Sequence, residues 1–125
     1  MIYLDTHVVV WLYTGLVEKL SAHAKQLIES DTLVISPIVK LELVYLHETK
    51  RITRTSQVII HDLENRLGLI TCDLPFDDII NKANSLSWTR DPFDRLIAAN
   101  AIANQSKLLT KDKTIRKHIK LAVWD

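Results

Sequence analysis

Residues 1–13, MIYLDTHVVVWLY, read as a short strand that ends on an acid and runs directly into an apolar helix. Ile2 to Asp5 has the aliphatic and aromatic character that strands favour, and Thr6 to Tyr13 follows without a glycine or proline to break it. The same unit recurs along the chain. Strands are expected at Ile2–Asp5, Thr32–Ser36, Leu69–Cys72, Lys107–Leu109 and Leu121–Trp124. Helices are expected at Thr6–Tyr13, Ala22–Ser30, Pro37–Glu48, Ser56–Leu67, Phe76–Leu86, Pro92–Asn104 and Lys113–Ile119. Ser21, Ser36 and Asp91 stand where N-caps belong, and Pro37 and Pro92 fall at the first helical position. Such alternation predicts an α/β fold, a central and mostly parallel sheet with helices on both faces and function at the carboxyl ends of its strands.

With 125 residues, 47% of them hydrophobic, the chain is expected to form a single domain that holds a core without staples. No apolar run reaches the ~18 residues of a membrane span, and the first residues carry no signal-peptide pattern. The lone Cys72 allows no internal disulfide and no cysteine zinc pattern; it reads as a small buried hydrophobe on a strand, with a reducing cytoplasm as the default compartment. Only two glycines, Gly15 and Gly68, are present, which excludes a phosphate-cradling glycine-rich loop. The net charge of +1 is unevenly spread. Between Lys107 and Lys120 six bases face the single acid Asp112, a patch that suits either a phosphate backbone or a solvated helix face.

Four of the fifteen acids sit where a carboxylate is awkward: Asp5 after MIYL, Glu42 inside VKLELVYL, Asp94 ahead of LIAANAIA, and Asp112 among lysines. A buried carboxylate is costly unless paired, hydrogen-bonded or bound to a metal. Asp5 fits equally as the cap of the helix from Thr6, and Asp112 as the cap of the helix from Lys113, with Arg116 as an ion-pair partner. Glu42 is harder to place. One helical turn away on either side it meets Ile38, Val39, Tyr45 and Leu46, with no cation among them. Asp91 reads as a helix cap paired with Arg95, whereas Asp94 has Ile97 and Ala98 ahead of it on its face, which favours Asp94 as the functional acid. Brought together, the four would make an oxygen-lined site for Mg²⁺ or Mn²⁺.

MIYLDTHVVVW, SPIVKLEL and RDPFDRLIAANAIANQSKLLTKDKTI together resemble PIN-domain ribonucleases, specifically the VapC-type toxins of bacterial toxin–antitoxin pairs. The resemblance implies a PIN-like three-layer sandwich over residues 1–125. It carries the family's acidic positions onto Asp5, Glu42, Asp94 and Asp112, with Thr6 and Thr110 as supporting hydroxyls, Asp112 being the least constrained. It also implies RNA as substrate, a cognate VapB-type antitoxin lying across the acidic site, and a homodimer. The segment from Lys50 to Arg66 matches no motif of that family.

Clustered carboxylates repel one another, so a divalent cation is expected to hold them, and Mg²⁺ uses a few carboxylates with water and substrate phosphate. A cation-bound water of lowered pKa then predicts hydrolysis to a 5′-phosphate and a 3′-hydroxyl without a covalent intermediate. Arg95, Lys111, Lys113, Arg116 and Lys117 are candidates to bind RNA, with Arg51 and Arg54 as a second patch. The five histidines are scattered, and His7 is expected on a helix surface, with a place beside the acidic site as the alternative because it stands next to Asp5 and Thr6. Trp11, Trp88 and Trp124 read as core or interface residues. Val9, Val10, Leu12, Tyr13 and Leu46 are expected in the core, with a contact surface as the alternative. Two other functions compete: a PIN-like binding module without activity, and a phospho-acceptor signalling domain. The second wants an acid after Asp5, where this chain has Thr6.

Overall fold

The computed structural model describes residues 1–125. The elements follow in the order β1 (Ile2–Leu4), α1 (Thr6–Thr14), α2 (Ala22–Ser30), β2 (Leu33–Ile35), α3 (Pro37–Glu48), α4 (Ser56–Leu67), β3 (Ile70–Thr71), α5 (Phe76–Ala83), α6 (Pro92–Ala103), β4 (Lys107–Leu109), α7 (Lys113–His118) and β5 (Ala122–Val123). A 3₁₀ turn at Val17–Lys19, not foreseen from the sequence, joins α1 to α2.

All strand pairings are parallel, in the order β3-β2-β1-β4-β5. Tyr3 pairs with Val34 on one side and with Leu108 on the other. Successive strand residues point to opposite faces. Ile2, Tyr3 and Leu4 are nevertheless all fully buried, so both faces of the sheet are covered and the architecture has three layers. Most of the core is one cluster built from β1, β2 and β4 with Val8, Val39, Leu43, Ile59, Leu63, Ile97 and Ile115 of the helices. Each such side chain contributes about 1.5–3 kcal/mol by leaving water.

The helix boundaries have local causes. Ser21, Ser36, Thr55 and Asp91 each accept a backbone N–H of the turn that follows. The two glycines stop helices: Gly15 (φ 76°) ends α1 and Gly68 (φ 67°) ends α4, both in the left-handed region. Lys50, also left-handed at φ 63°, closes α3 by hooking the chain back, with Lys50 N–H donating to His47 O at 3.0 Å and Arg51 N–H to Leu46 O at 2.8 Å.

Three expectations change. α5 stops at Ala83 rather than Leu86, where Arg95 of α6 takes the Ala83 and Asn84 carbonyls at 2.8 and 3.1 Å. Cys72 lies just beyond β3, only partly buried, and accepts a hydrogen bond from Asn100. Of the apolar residues of α1 and α3, Val9 is buried and Val10, Leu12, Tyr13 and Leu46 are half-buried. The exposed apolar side chains lie elsewhere, among them Leu41, Val44 and Tyr45 of α3 and Phe76 of α5.

Candidate active site

β1 lies inside the sheet, and the chain leaves it in one direction to β2 and β3 and returns on the other side as β4 and β5. The carboxyl ends of β1 and β4 therefore flank the switch point, where open α/β sheets place their ligands. Asp5 follows β1 and Thr110 follows β4. Asp5 is 4% exposed, yet its carboxylate is satisfied: Oδ1 accepts the Thr6 N–H at 2.8 Å and Oδ2 accepts the Thr110 hydroxyl at 2.6 Å. Asp5 thus caps α1 and also faces the switch point.

The other three acids arrive from three further elements. Glu42, in the middle of α3, accepts a hydrogen bond from the Thr6 hydroxyl. Asp94 stands in the first turn of α6. Asp112 caps α7 by accepting the Ile115 N–H at 2.9 Å, and its own N–H donates to Thr110 Oγ1 at 3.1 Å. All four line one cavity of about 320 Å³ together with Thr6. Asp91 does not line it; its Oδ1 accepts the Phe93 and Asp94 N–H groups, capping α6.

The electrostatic consequence is clearest at Asp94. Burial pushes its carboxyl up, and the negative charges of Asp5, Asp91, Asp112 and Glu42 push it further, to about 7. Glu42 is raised as well, first by burial and then by Asp5 and Asp91, against the lowering effect of the Thr6 hydrogen bond. Asp94 therefore carries a proton for much of the time near neutral pH. As the side chains stand, no three acids, histidines or cysteines converge closely enough to form a complete coordination cage. The donor set still fits a hard cation that keeps most of its water, since Mg²⁺ needs only one or two carboxylates and fills its remaining positions with water and phosphate.

His7, Trp11, Arg51 and Ile52 form a further part of the cavity wall, the last two from the segment without a motif. His7 is not a plain helix-surface residue. Its Nε2 accepts the Lys111 N–H at 3.0 Å, its Nδ1 lies 3.5 Å from Asp5 Oδ2, and its ring sits 4.9 Å from Trp11. Burial lowers its pKa, outweighing the pull of Asp5, so the imidazole is neutral. The hydrogen bond to Lys111 assigns the proton to Nδ1 and leaves Nε2 occupied. Its closeness to Asp5 and Thr6 in sequence points to the cavity, but no spacing shows the hydrogen bond to Lys111, which lies at the other end of the chain.

The candidate RNA-binding bases divide. Lys111 and Lys113 are exposed, Lys111 bordering Trp11 with Nζ 5.9 Å from the ring centroid. Arg116 does not pair with Asp112; it donates to Lys111 O at 3.2 Å and pairs with Asp125 at 3.6 Å. Arg95 does not pair with Asp91, because its guanidinium is taken up by the carbonyls of Ala83, Asn84 and, at 3.5 Å, Thr89.

The family model of the PIN domain matches residues 2–121. The chain belongs to the PIN domain family. It is 34% identical over 118 residues, spanning 92% of this chain and 89% of the relative, to Ribonuclease VapC22 of Mycobacterium tuberculosis (strain ATCC 25618 / H37Rv), and is of the VapC type. The fold is also that of three solved toxin–antitoxin structures. VapBC2 from Rickettsia felis, bound to a DNA fragment from its promoter, matches with a TM-score of 0.67 and 24% identity over 100% of both chains. A toxin–antitoxin complex from Klebsiella pneumoniae matches with a TM-score of 0.69 and 20% identity over 98% of this chain and 96% of that one. VapBC-1 from nontypeable Haemophilus influenzae matches with a TM-score of 0.66 and 21% identity over 100% of this chain and 97% of that one.

Proposed function

We propose that this protein is a divalent-metal-dependent endoribonuclease that acts as the toxin of a VapBC-type pair. The observation that carries the reading is the meeting of Asp5, Glu42, Asp94 and Asp112, from four separate elements, in one cavity at the switch point of the sheet. Membership of the PIN domain family and the likeness to Ribonuclease VapC22 support the reaction class. Phosphodiester hydrolysis is the chemistry such a site suits, with RNA as substrate and Mg²⁺, or Mn²⁺ in its place, as the cation.

Asp5, Glu42, Asp94 and Asp112 would hold the ion. Bound there, it supplies a water of lowered pKa and positive charge against the charge developing on the phosphoryl group. The chain's own part is positional. Thr110 and the Thr6 N–H fix the Asp5 carboxylate, and the Thr6 hydroxyl fixes Glu42, so two carboxylates from different elements are oriented by adjacent hydrogen bonds. A cation among the carboxylates would favour the ionised form of Asp94, because repulsion from the other acids adds to burial in raising its carboxyl. His7, neutral and occupied at Nε2, is a wall of the site and not its base. Lys111, Lys113 and Arg51 attract the phosphate chain to a cavity whose own charge would repel it. The expected products are a 5′-phosphate and a 3′-hydroxyl.

The partners follow the same reading. A VapB-type antitoxin lying across the acidic cavity would block it, consistent with the VapBC assemblies among the structures of like fold. A homodimer would cover the apolar surface of Leu41, Val44, Tyr45 and Phe76. No helix is long and apolar enough to cross a membrane.

The test is incubation of the purified, antitoxin-free chain with total RNA, with and without Mg²⁺ or Mn²⁺, beside Asp5→Ala and Asp94→Ala. Cleavage that needs the metal and is lost in both variants is the expected result. Metal-independent cleavage, or full activity in both variants, would refute the assignment.

A further inference from the structure

The acidic cavity has a neighbour. A second cavity, of about 290 Å³, opens beside it, and the two share Val10, Trp11, Arg51 and Ile52 as a common wall. Its character is the opposite. Tyr13, Leu16 and Ile59 extend the apolar surface, Arg54 joins Arg51 as a second cation, and no acid lines it. Neither arginine lies within ion-pair distance of any carboxylate. Lys19 and Lys111 add positive charge around Trp11, with Nζ 5.6 and 5.9 Å from its ring centroid. Arg51 owes its position to the left-handed Lys50, which turns the chain back as it leaves α3.

We propose that this cavity is a nucleobase subsite, which takes the base of the nucleotide next to the scissile phosphodiester of a single-stranded RNA. The proposal rests on the ribonuclease reading above. A phosphodiester held among four carboxylates gains little affinity from them, so binding energy has to come from the flanking nucleotides. A nucleotide combines a flat apolar base with an anionic phosphate. The cavity offers the matching pair, with Trp11 and Tyr13 for stacking and Arg51 and Arg54 without acidic partners for the phosphate. Its volume is close to the roughly 300 Å³ at which ligand pockets begin. Duplex RNA keeps its bases stacked inside, so only an unpaired strand can enter. The cationic rim favours this anionic occupant over a basic peptide tail attracted to the neighbouring acids.

The experiment scans one abasic nucleotide through successive positions around the cleavage site of a single-stranded RNA oligonucleotide, using the full chain with Mg²⁺ or Mn²⁺. For the wild-type protein, abasic substitution at one flanking position should raise KM on the order of tenfold with kcat nearly unchanged, the size expected from a lost base–aromatic stack. Tyr13→Ala, and Thr53→Trp to fill the cavity, should show the same rise on the intact oligonucleotide and lose no more at the abasic position, with thermal unfolding checked for each. Arg54→Ala should flatten the salt dependence of KM. If the wild-type protein cleaves every abasic oligonucleotide alike, the subsite is overturned while the nuclease reading stands. If it cleaves no RNA with either metal, both are overturned. If the cavity variants cleave as the wild type does but escape inhibition by the antitoxin, the cavity belongs to a peptide and the subsite is overturned.

Discussion

The Thr110 hydroxyl donates to Asp5 Oδ2 at 2.6 Å while accepting the Asp112 N–H at 3.1 Å, so a single buried side chain ties the acid after β1 to the acid after β4. Thr110 is fully buried, and no water can replace it without rearrangement. Thr110→Val keeps the shape but leaves an Asp5 lone pair and the Asp112 N–H without their partner. It should lower stability by about 1–3 kcal/mol in urea unfolding and reduce metal-supported RNA cleavage, and Thr110→Ser should restore most of both. Equal stability for the valine and serine variants would contradict this.

The raised carboxyls give the metal-free protein a defined pH response. With Asp94 pushed up to about 7 and Glu42 also raised, these two carboxyls hold more protons in the folded than in the unfolded state between the ordinary carboxylate range and about pH 7, while His7, lowered by burial, acts in the opposite sense. The carboxyl contribution to stability therefore falls as pH rises through that window, two groups against the one histidine. The Tm without metal should be higher at pH 5 than at pH 8. Asp94→Asn should remove much of the difference, a contribution on the order of 1–2 kcal/mol after allowance for solvent screening of a half-buried group. Mg²⁺ should reverse the trend at high pH, since it competes with the same protons.

Arg95 carries a prediction of the contrary kind. Its three carbonyl contacts cap the end of α5 and bind the loop at Thr89, so Arg95→Ala should cost about 1–2 kcal/mol of stability. Below the unfolding transition, KM for RNA should stay within about twofold of wild type, as read by initial cleavage rates. A large rise in KM with unchanged Tm would return Arg95 to the RNA-binding set.

Lys50 holds a left-handed conformation that a side chain resists by roughly 1–2 kcal/mol, whereas glycine's extra freedom when unfolded costs about 0.5–1 kcal/mol. Lys50→Gly should therefore give a small net gain of about 0.5 kcal/mol, seen as a rise in Tm of about 2 °C. A fall in Tm would show that the lysine side chain contributes packing of its own.

Most of the fold was legible because its signals are local. Ser21 and Ser36 followed by Pro37 set helix starts within a few residues of chain, and α2, α3 and α4 have the expected bounds. α5 was overestimated because its stop comes from Arg95, which lies on the next helix. The same guanidinium explains why the local Asp91–Arg95 pair does not form: the nearby carbonyls of α5 take it, while Asp91 is used by two backbone N–H groups. At the site, the apolar helix face around Glu42 showed a carboxylate in need of a partner but could not name it. Thr6, its hydrogen-bond donor, lies on another helix. Trp11 packs against the core as its type suggests, and the adjacency of His7 to Asp5 points to the cavity; what no local pattern shows is that their contacts come from Lys111 and Trp124, far along the chain.

The pairing of β1 with β4 has a consequence for synthesis. β1 is made long before β4, so one of its edges has no partner until residues 107–109 exist, and Asp5 gains its Thr110 donor only one residue later. The acidic cavity cannot be complete on a ribosome that has translated only the first four helices. Asp5 and Glu42 are therefore in place long before the site they share exists, and any chemistry of the cavity waits until synthesis has passed Asp112.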